Sequence, residues 1–210
     1  MFRSILSGRL PAIAVISGAR QTLTLVDWYD RCADRWHAML DRLGYLAAYR
    51  QLALQADPFL PDRSQAFALL DVGTGSGALA AAFLNAGPRK ARVTLLDSSP
   101  AMLRTATTTL RDMGIVCSPM HGDVGGNVLG TDGYDLVLCG HVLEHCEDPE
   151  ASLAWLLDRL SATGLLVLVV SKPHWCTSLV RWRWRHRAFP HDRMEAMIAR
   201  VGGRRIASIS

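Results

Sequence analysis

The segment LLDVGTGSGALA, residues 69–80, constrains the fold of this chain more than any other stretch. A short apolar run stops at Gly73, Gly75 and Gly77, and an alanine-rich run follows. Glycines between a buried strand and a helix let the backbone turn sharply and let a ligand approach it closely. The spacing is G-x-G-x-G, not the G-x-G-x-x-G of dinucleotide sites, and no Gly-Lys-Ser/Thr follows as in a phosphate-binding P-loop. The segment therefore predicts a ligand-binding turn of another kind.

Strand and helix patterns alternate on both sides of this turn. Apolar runs predict buried parallel strands at 67–72, 91–97, 115–120, 134–140 and 164–171. Helices are expected at 26–55, 77–86, 100–113, 150–160 and 194–201, and 204–210 reads as a last strand. The alternation predicts one doubly wound α/β domain over residues 1–210, with a mainly parallel sheet flanked by helices.

Composition fits one globular domain in a reducing compartment. The chain has 210 residues, 50% of them hydrophobic and 20% charged, and a net charge of +4. Its five cysteines include no C-x-x-C pair, which disfavours a disulfide framework and predicts a cytoplasmic location. The apolar N-terminal segment, residues 1–25, has no run of the roughly 20 residues that a bilayer span needs. It is expected to cap the domain or to lie in a membrane interface.

Asp97 ends the second predicted strand, 91–97, and gives the glycine turn an acidic partner. A carboxylate at that strand end, about 20 residues beyond the turn, is where nucleotide-binding folds hold ribose hydroxyls. A glycine turn alone is common in proteins. The order of strand, Asp71, three glycines, helix, strand and Asp97 is much more specific.

In that order of motifs the sequence resembles the class I S-adenosylmethionine-dependent methyltransferases, closest to the small-molecule branch. The resemblance runs from about residue 26 to 201 and implies a Rossmann-like core at 67–172 and a cofactor-covering helix at 26–56. It also implies S-adenosylmethionine as cofactor, S-adenosylhomocysteine as product and in-line methyl transfer to a small, lipophilic acceptor. Two alternatives stay open: a non-catalytic cofactor-binding assembly or regulatory protein, and an RNA or protein methyltransferase.

The resemblance also implies roles for single residues. Asp97 matches the ribose-binding acid, Met102 lies near the adenine, and Asp123 meets the adenine amino group. The glycine turn with Asp71 takes the amino-acid end of the cofactor, and Tyr29 occupies the aromatic position of the covering helix. The full expected cofactor-binding set is Tyr29, Asp71, Gly73, Thr74, Gly75, Gly77, Asp97, Ser98, Met102, Gly122, Asp123, Val124, Cys139 and Gly140.

The stretch CGHVLEHCEDP, residues 139–149, contains H-x-x-E-H, the spelling of inverted zinc peptidases. A zinc site needs a third protein ligand, and no downstream acid stands out as one. We therefore expect no metal here. His141 is the candidate general base, since histidine titrates near neutral pH; the alternatives are that it only lines the pocket or that its ring nitrogen caps a turn. His145 is expected to be structural.

The Trp/Arg segment, residues 173–192, alternates tryptophan with arginine between 180 and 187. Three interpretations stay open: a lid over the pocket, contact with an anionic membrane surface, and contact with nucleic acid. Nucleic acid is the least favoured, and the absence of Asn/Asp-Pro-Pro-aromatic after the fourth strand disfavours methylation of base amino groups. Family members usually have two further strands where this sequence offers one. An open sheet edge would favour a homodimer or a covering segment.

Overall fold

A computed structural model describes residues 24–62, 65–86, 90–130, 133–171 and 188–204. The N-terminal segment up to residue 23 lies outside these ranges, as do residues 173–187 of the Trp/Arg segment and most of the expected last strand. The interpretations given to those segments stay predictions.

Five parallel strands form the sheet in the described residues. They are β1 (Phe67–Val72), β2 (Ala91–Asp97), β3 (Cys117–His121), β4 (Tyr134–Gly140) and β5 (Leu160–Val169). Their order is β3-β2-β1-β4-β5. Val72 pairs with Leu96 on one side and with Cys139 on the other, so the carboxyl ends of the three central strands lie at one level. The order of strands reverses between β1 and β4, and open α/β sheets bind ligands at that point.

Six helices flank the sheet in the described part of the chain. They are α1 (Leu25–Arg42), α2 (Tyr45–Ala56), α3 (Ala78–Asn85), α4 (Pro100–Asp112), α5 (Pro149–Leu157) and α6 (His191–Arg200). None of the helices in these ranges is long and apolar enough to span a bilayer.

The covering segment 26–56 is two helices, where the sequence predicted one. Gly44 adopts a left-handed conformation, with φ of 81°, and starts α2 after α1 has ended at Arg42. The apolar spacing continues across this break, so the pattern alone did not reveal it. Because glycine tolerates positive φ, the chain can turn there without strain.

Both faces of the sheet are buried, as the continuous apolar runs predicted. Leu69 and Leu70 are adjacent in β1 and fully buried, and they pack into separate cores on opposite faces. Phe83 of α3 and Leu110 of α4 belong to the first core, while Phe189 belongs to the second. Alternating side chains of a strand point to opposite faces, so a doubly covered sheet needs apolar residues at every position.

Two helix starts follow the sequence expectation, and one boundary does not. The Ser99 hydroxyl accepts a hydrogen bond from the Met102 amide at the start of α4, and Asp148 caps α5 in the same way. The sequence pattern predicted that α5 would extend to residue 160 and that the fifth strand would begin at residue 164. In the structure α5 ends at Leu157 and Leu160 already pairs with Tyr134 of β4, through an irregular register. Leu160 is therefore part of β5 and not of the helix, because it pairs with β4.

Candidate active site

A cavity of about 780 Å³ opens at the carboxyl edge of the sheet. The turns after β1, β2, β3 and β4 form its floor, and α1 and α2 contribute side chains to its cover. The structure brings most of the sequence-predicted site residues to this one cavity. Those that line it are Tyr29, Asp71, Gly73, Thr74, Gly75, Asp97, Ser98, Met102, Gly122, Asp123, Val124, Gly140 and His141. Gly77 and Cys139 do not line it.

The glycine turn has the backbone geometry that its sequence predicted. Gly73, Gly75 and Gly77 all have positive φ, between 52° and 76°. The Gly73 amide donates to the Leu96 carbonyl oxygen at 2.8 Å, which ties the turn to the end of β2. Gly77 allows close packing of the turn against α4, because a Cβ there would lie 3.1 Å from Cα of Ala106. Cys139 is fully buried in the core below the cavity floor.

Asp97 connects the glycine turn to the next helix. One carboxylate oxygen, Oδ2, accepts from the Gly75 amide at 2.8 Å, and the other, Oδ1, accepts from the Ser99 amide at 2.9 Å. Burial raises the pKa of Asp97, although both amide donors act against it. Each carboxylate oxygen can accept two hydrogen bonds, so both keep one position for a ligand hydroxyl in the cavity.

Asp71 lies deeper, at the end of β1, and is 1% exposed. Its Oδ2 accepts from the Thr74 hydroxyl at 2.7 Å. Burial raises the pKa of Asp71 to about 7, against the hydrogen bond from Thr74. Asp71 therefore keeps its proton at a higher pH than an ordinary aspartate does.

The raised pKa of Asp71 predicts a stability that falls as pH rises. The folded state keeps the Asp71 proton up to about pH 7, while the unfolded chain loses it near 3.8. The stabilising contribution of the Asp71 proton is thus fully present below pH 3.8 and is lost as pH rises through about 7. At about 1.4 kcal/mol per pKa unit, we expect a loss of up to ~4 kcal/mol across this window. Urea denaturation of the wild type and of Asp71→Asn at several pH values measures it. The free energy of unfolding of the variant should fall less with rising pH than that of the wild type. An equal pH dependence in the two proteins would contradict the prediction.

Helix α1 covers the cavity and is fixed by polar contacts that the sequence did not indicate. Asp30 accepts from the hydroxyl of Ser99, the cap of α4, and from the Ala101 amide at 3.3 Å. About two turns further along α1, Nδ1 of His37 lies 3.4 Å from the Ser76 hydroxyl in the glycine turn. These contacts join α1 to the two elements that hold the floor of the cavity. Asp30 and His37 belong to no motif, so only the folded arrangement shows their role.

The turn after β4 places His141 and Glu144 in one network. His141 has a left-handed backbone, with φ of 59°. Its Nδ1 lies 3.3 Å from Oε1 of Glu144 and 3.2 Å from the Ser171 hydroxyl. Oε1 of Glu144 also accepts from the Ser171 amide at 2.6 Å. Burial opposes ionisation of Glu144, but its bonds to His141 and Ser171 outweigh burial and hold its pKa below the ordinary value.

Through this network, the first histidine and the glutamate of the H-x-x-E-H stretch connect the turn after β4 to Ser171, which follows β5. Glu144 is 1% exposed and faces the interior. Within the described ranges, no three His, Cys, Asp or Glu side chains come together as metal ligands. Nε2 of His141 is buried and has no hydrogen-bond partner in the described part of the chain. A general-base role for His141 stays a prediction.

His145 lines the cavity and faces α1. Its Nε2 lies 3.4 Å from the hydroxyl of Tyr29. The sequence assigned His145 a structural role and placed Tyr29 at the cofactor, and it gave no sign that the two side chains meet.

Part of the chain is similar to a known protein family. A sequence model described as a methyltransferase domain matches residues 69–164, which include the glycine turn, Asp97 and the turn after β4. The match covers 96 of the 210 residues. The confirmed resemblance extends to the fold, since the five parallel strands and their flanking helices are those of the Rossmann-like methyltransferases.

Relatives of this chain include proteins named for quinone biosynthesis. The chain is 34% identical over 103 residues to a mitochondrial ubiquinone biosynthesis O-methyltransferase of Schizosaccharomyces pombe, covering 48% of this chain and 36% of that protein. It is 32% identical over 108 residues to the ubiquinone/menaquinone biosynthesis C-methyltransferase UbiE of Shewanella piezotolerans, covering 50% of this chain and 43% of that protein. The matched stretches thus span less than half the length of these relatives.

Among solved structures, the fold is similar to magnesium protoporphyrin IX methyltransferase of Synechocystis PCC 6803, a structure with bound S-adenosylhomocysteine. The TM-score is 0.63 at 21% identity, and the match covers 84% of this chain and 86% of that one. At this identity the likeness concerns the fold.

The cavity also has an apolar wall that the sequence did not predict. It lies between α1 and α5 and is lined by Val26, Val142, Cys146, Ala151 and Trp155. The guanidinium of Arg159 stacks on the outer side of the wall, 4.4 Å from the ring centroid of Trp155. Trp36 and Tyr49 complete the cover. These residues come from three helices and from the turn after β4, so no local spacing in the sequence predicts them.

Proposed function

We propose that this chain binds S-adenosylmethionine in the cavity and transfers its methyl group in line to a small, lipophilic acceptor. One observation carries the proposal: the Asp97 carboxylate and the glycine turn face the same cavity at the point where strand order reverses. Cavities of several hundred Å³ at this point are the usual ligand sites of open α/β sheets.

The residues that line the cavity fit the three parts of this cofactor. Asp97 has an acceptor position left on each oxygen, which suits a ribose diol. Met102 and Val124 offer apolar surface for adenine, beside the carboxylate of Asp123. The glycine turn leaves room at Gly75, where a Cβ would come within 3.4 Å of Trp36, so the amino-acid end of the cofactor can approach the backbone there. When bound, the cofactor supplies an electrophilic methyl group.

The protein's part in such a transfer is alignment and exclusion of water. Helix α1 closes the cavity from above, and its contacts with Ser76 and Ser99 hold it against the floor. The wall of Val142, Ala151 and Trp155 supports a lipophilic acceptor. The named relatives act in ubiquinone and menaquinone biosynthesis, which supports an aromatic, quinol-like acceptor.

Calorimetric titration with S-adenosylmethionine and S-adenosylhomocysteine tests the proposal first. We expect micromolar binding of both, followed by formation of S-adenosylhomocysteine when lipophilic catechols or quinols are added. Binding without turnover on any small acceptor would favour the non-catalytic alternative, and no binding would refute the proposal.

A cytoplasmic location at the periphery of a membrane is proposed from the sequence. The support is the alternation of tryptophan and arginine in residues 173–192. We expect the full chain to co-sediment with anionic phospholipid vesicles, and less so as salt is raised. Absence of binding at low salt would contradict this proposal.

A further inference from the structure

Tyr29 and His145 meet across the cavity from opposite walls. Tyr29 lies on α1, and His145 lies on the turn after β4. The phenolic oxygen and Nε2 are 3.4 Å apart, and both side chains line the cavity. The pair therefore stands between the cover and the floor, next to the apolar wall of Val142 and Cys146.

Packing fixes the position of the Tyr29 hydroxyl. The ring meets Trp28 and Trp36 edge-on, with centroids 5.2 Å and 5.3 Å away, and meets His145 edge-on at 6.3 Å. The next residue, Asp30, is bonded to the cap of α4. Because the ring is held on several sides, its hydroxyl has a defined direction toward His145.

The charges around Tyr29 keep its hydroxyl protonated. Burial raises the pKa of Tyr29 to about 12, and the nearby carboxylates of Asp97 and Glu144 act in the same direction. The phenol therefore stays protonated at physiological pH. In the histidine tautomer that carries its proton on Nδ1, this phenol can donate to the lone pair of Nε2, which is then the proton acceptor of the pair.

We propose that Tyr29 and His145 form a proton relay for the acceptor, and that the acceptor is a phenol or another hydroxyl compound. This inference rests on the proposed function and names its substrate class. In the step, the acceptor oxygen forms a bond to the methyl carbon and the bond from sulfur to that carbon breaks. The acceptor's hydroxyl proton passes to the oxygen of Tyr29 while the proton of Tyr29 passes to Nε2 of His145. The positive charge lost from sulfur thus ends on the imidazolium.

Carboxylates lie near the place where that charge ends. Those of Asp97 and Glu144 interact electrostatically with Tyr29. Glu147 and Asp148 line the cavity on the same turn as His145. Carboxylates near a histidine favour its protonated form, so the surroundings stabilise the product state of the relay.

Acceptors that differ in acidity separate a relay from a merely structural contact. We would compare Tyr29→Phe and His145→Gln with the parent on catechol and on 4-nitrocatechol, which is already ionised at mildly alkaline pH. Loss of general base catalysis should lower kcat on catechol about 100-fold. On 4-nitrocatechol the loss should be only a few-fold, with KM little changed. Equal losses on both acceptors would overturn the proposal.

Tyr134→Phe is the matched control. Tyr134 is also buried, at the start of β4, and its hydroxyl lies 3.4 Å from the Thr94 hydroxyl; neither residue lines the cavity. The control should methylate both acceptors like the parent. His141→Ala tests the competing base: an acceptor-dependent loss in this variant, without one in Tyr29→Phe, would overturn the relay.

A spectroscopic measurement tests the pair without any acceptor. In the S-adenosylhomocysteine complex, the ring nitrogen resonance of His145 Nε2 should shift in Tyr29→Phe and stay unchanged in Tyr134→Phe. An unchanged resonance in Tyr29→Phe would overturn the hydrogen bond on which the relay depends.

If the parent bound no S-adenosylhomocysteine, the proposed function itself would fail. If it bound the product but methylated no phenol or alcohol, only the relay and its substrate class would fail.

Discussion

Replacing Asp97 with alanine is expected to weaken binding of S-adenosylhomocysteine about 100-fold or more. Two ribose hydroxyls would donate to this carboxylate, and a hydrogen bond to a charged group contributes roughly 1.5–3 kcal/mol. Loss of about 3 kcal/mol corresponds to a factor of about 100 in Kd. The change also removes the bonds from the Gly75 and Ser99 amides, which hold the glycine turn beside the ligand. Calorimetric titration of the variant and the parent measures the change.

Two further variants show whether the carboxylate itself is responsible. Asp97→Asn keeps one oxygen that can accept a backbone bond but loses the charge, so its Kd should fall between those of the parent and the alanine variant. Asp112→Ala removes an exposed carboxylate at the end of α4 and should bind like the parent. A Kd for Asp97→Ala within a few-fold of the parent would place the ribose elsewhere and would contradict the assignment of this cavity.

Local sequence was enough to predict the strands and the floor of the site. Strands β1, β2 and β4 end where apolar runs meet glycines or Asp97. Their parallel arrangement follows from the helices between them, and parallel strands bring their carboxyl ends to one edge. Residues from four separate motifs could therefore be assigned to one cavity before any distance was known.

The cover of the site depends on contacts between distant parts of the chain. The bonds from Asp30 to Ser99 and from His37 to Ser76 join residues 69 and 39 positions apart. The break at Gly44 and the meeting of Tyr29 with His145 also depend on how α1 packs over the sheet. Apolar spacing shows which face of a helix is buried, but it does not show which polar groups that helix will meet. The sequence therefore identified Tyr29 as a cavity residue and missed its partner.

Replacing Gly73 with alanine is expected to destabilise the fold by about 2–5 kcal/mol. Gly73 has φ of 63°, and a left-handed conformation costs an alanine roughly 1–2 kcal/mol. A Cβ would also overlap Cγ2 of Val142, the residue after His141, and overpacking of this kind costs about 1–3 kcal/mol. Urea denaturation of the variant measures the sum.

Gly44→Ala and a double variant separate the two contributions to that cost. Gly44 has φ of 81°, and a Cβ there would meet no atom within 4 Å, so its replacement should cost only the backbone part, about 1–2 kcal/mol. Adding Val142→Ala to Gly73→Ala removes the overlapping methyl group. The double variant should recover the part of the lost stability that is due to overpacking, while the part due to backbone strain remains. If the double variant were as unstable as the sum of the single changes, Val142 would not be what excludes a side chain at Gly73. If Gly73→Ala cost no more than Gly44→Ala, the close contact between the turns after β1 and β4 would be wrong. That contact sets the distance between the glycine turn and the turn carrying His145, so it also sets the width of the cavity in which cofactor and acceptor must meet.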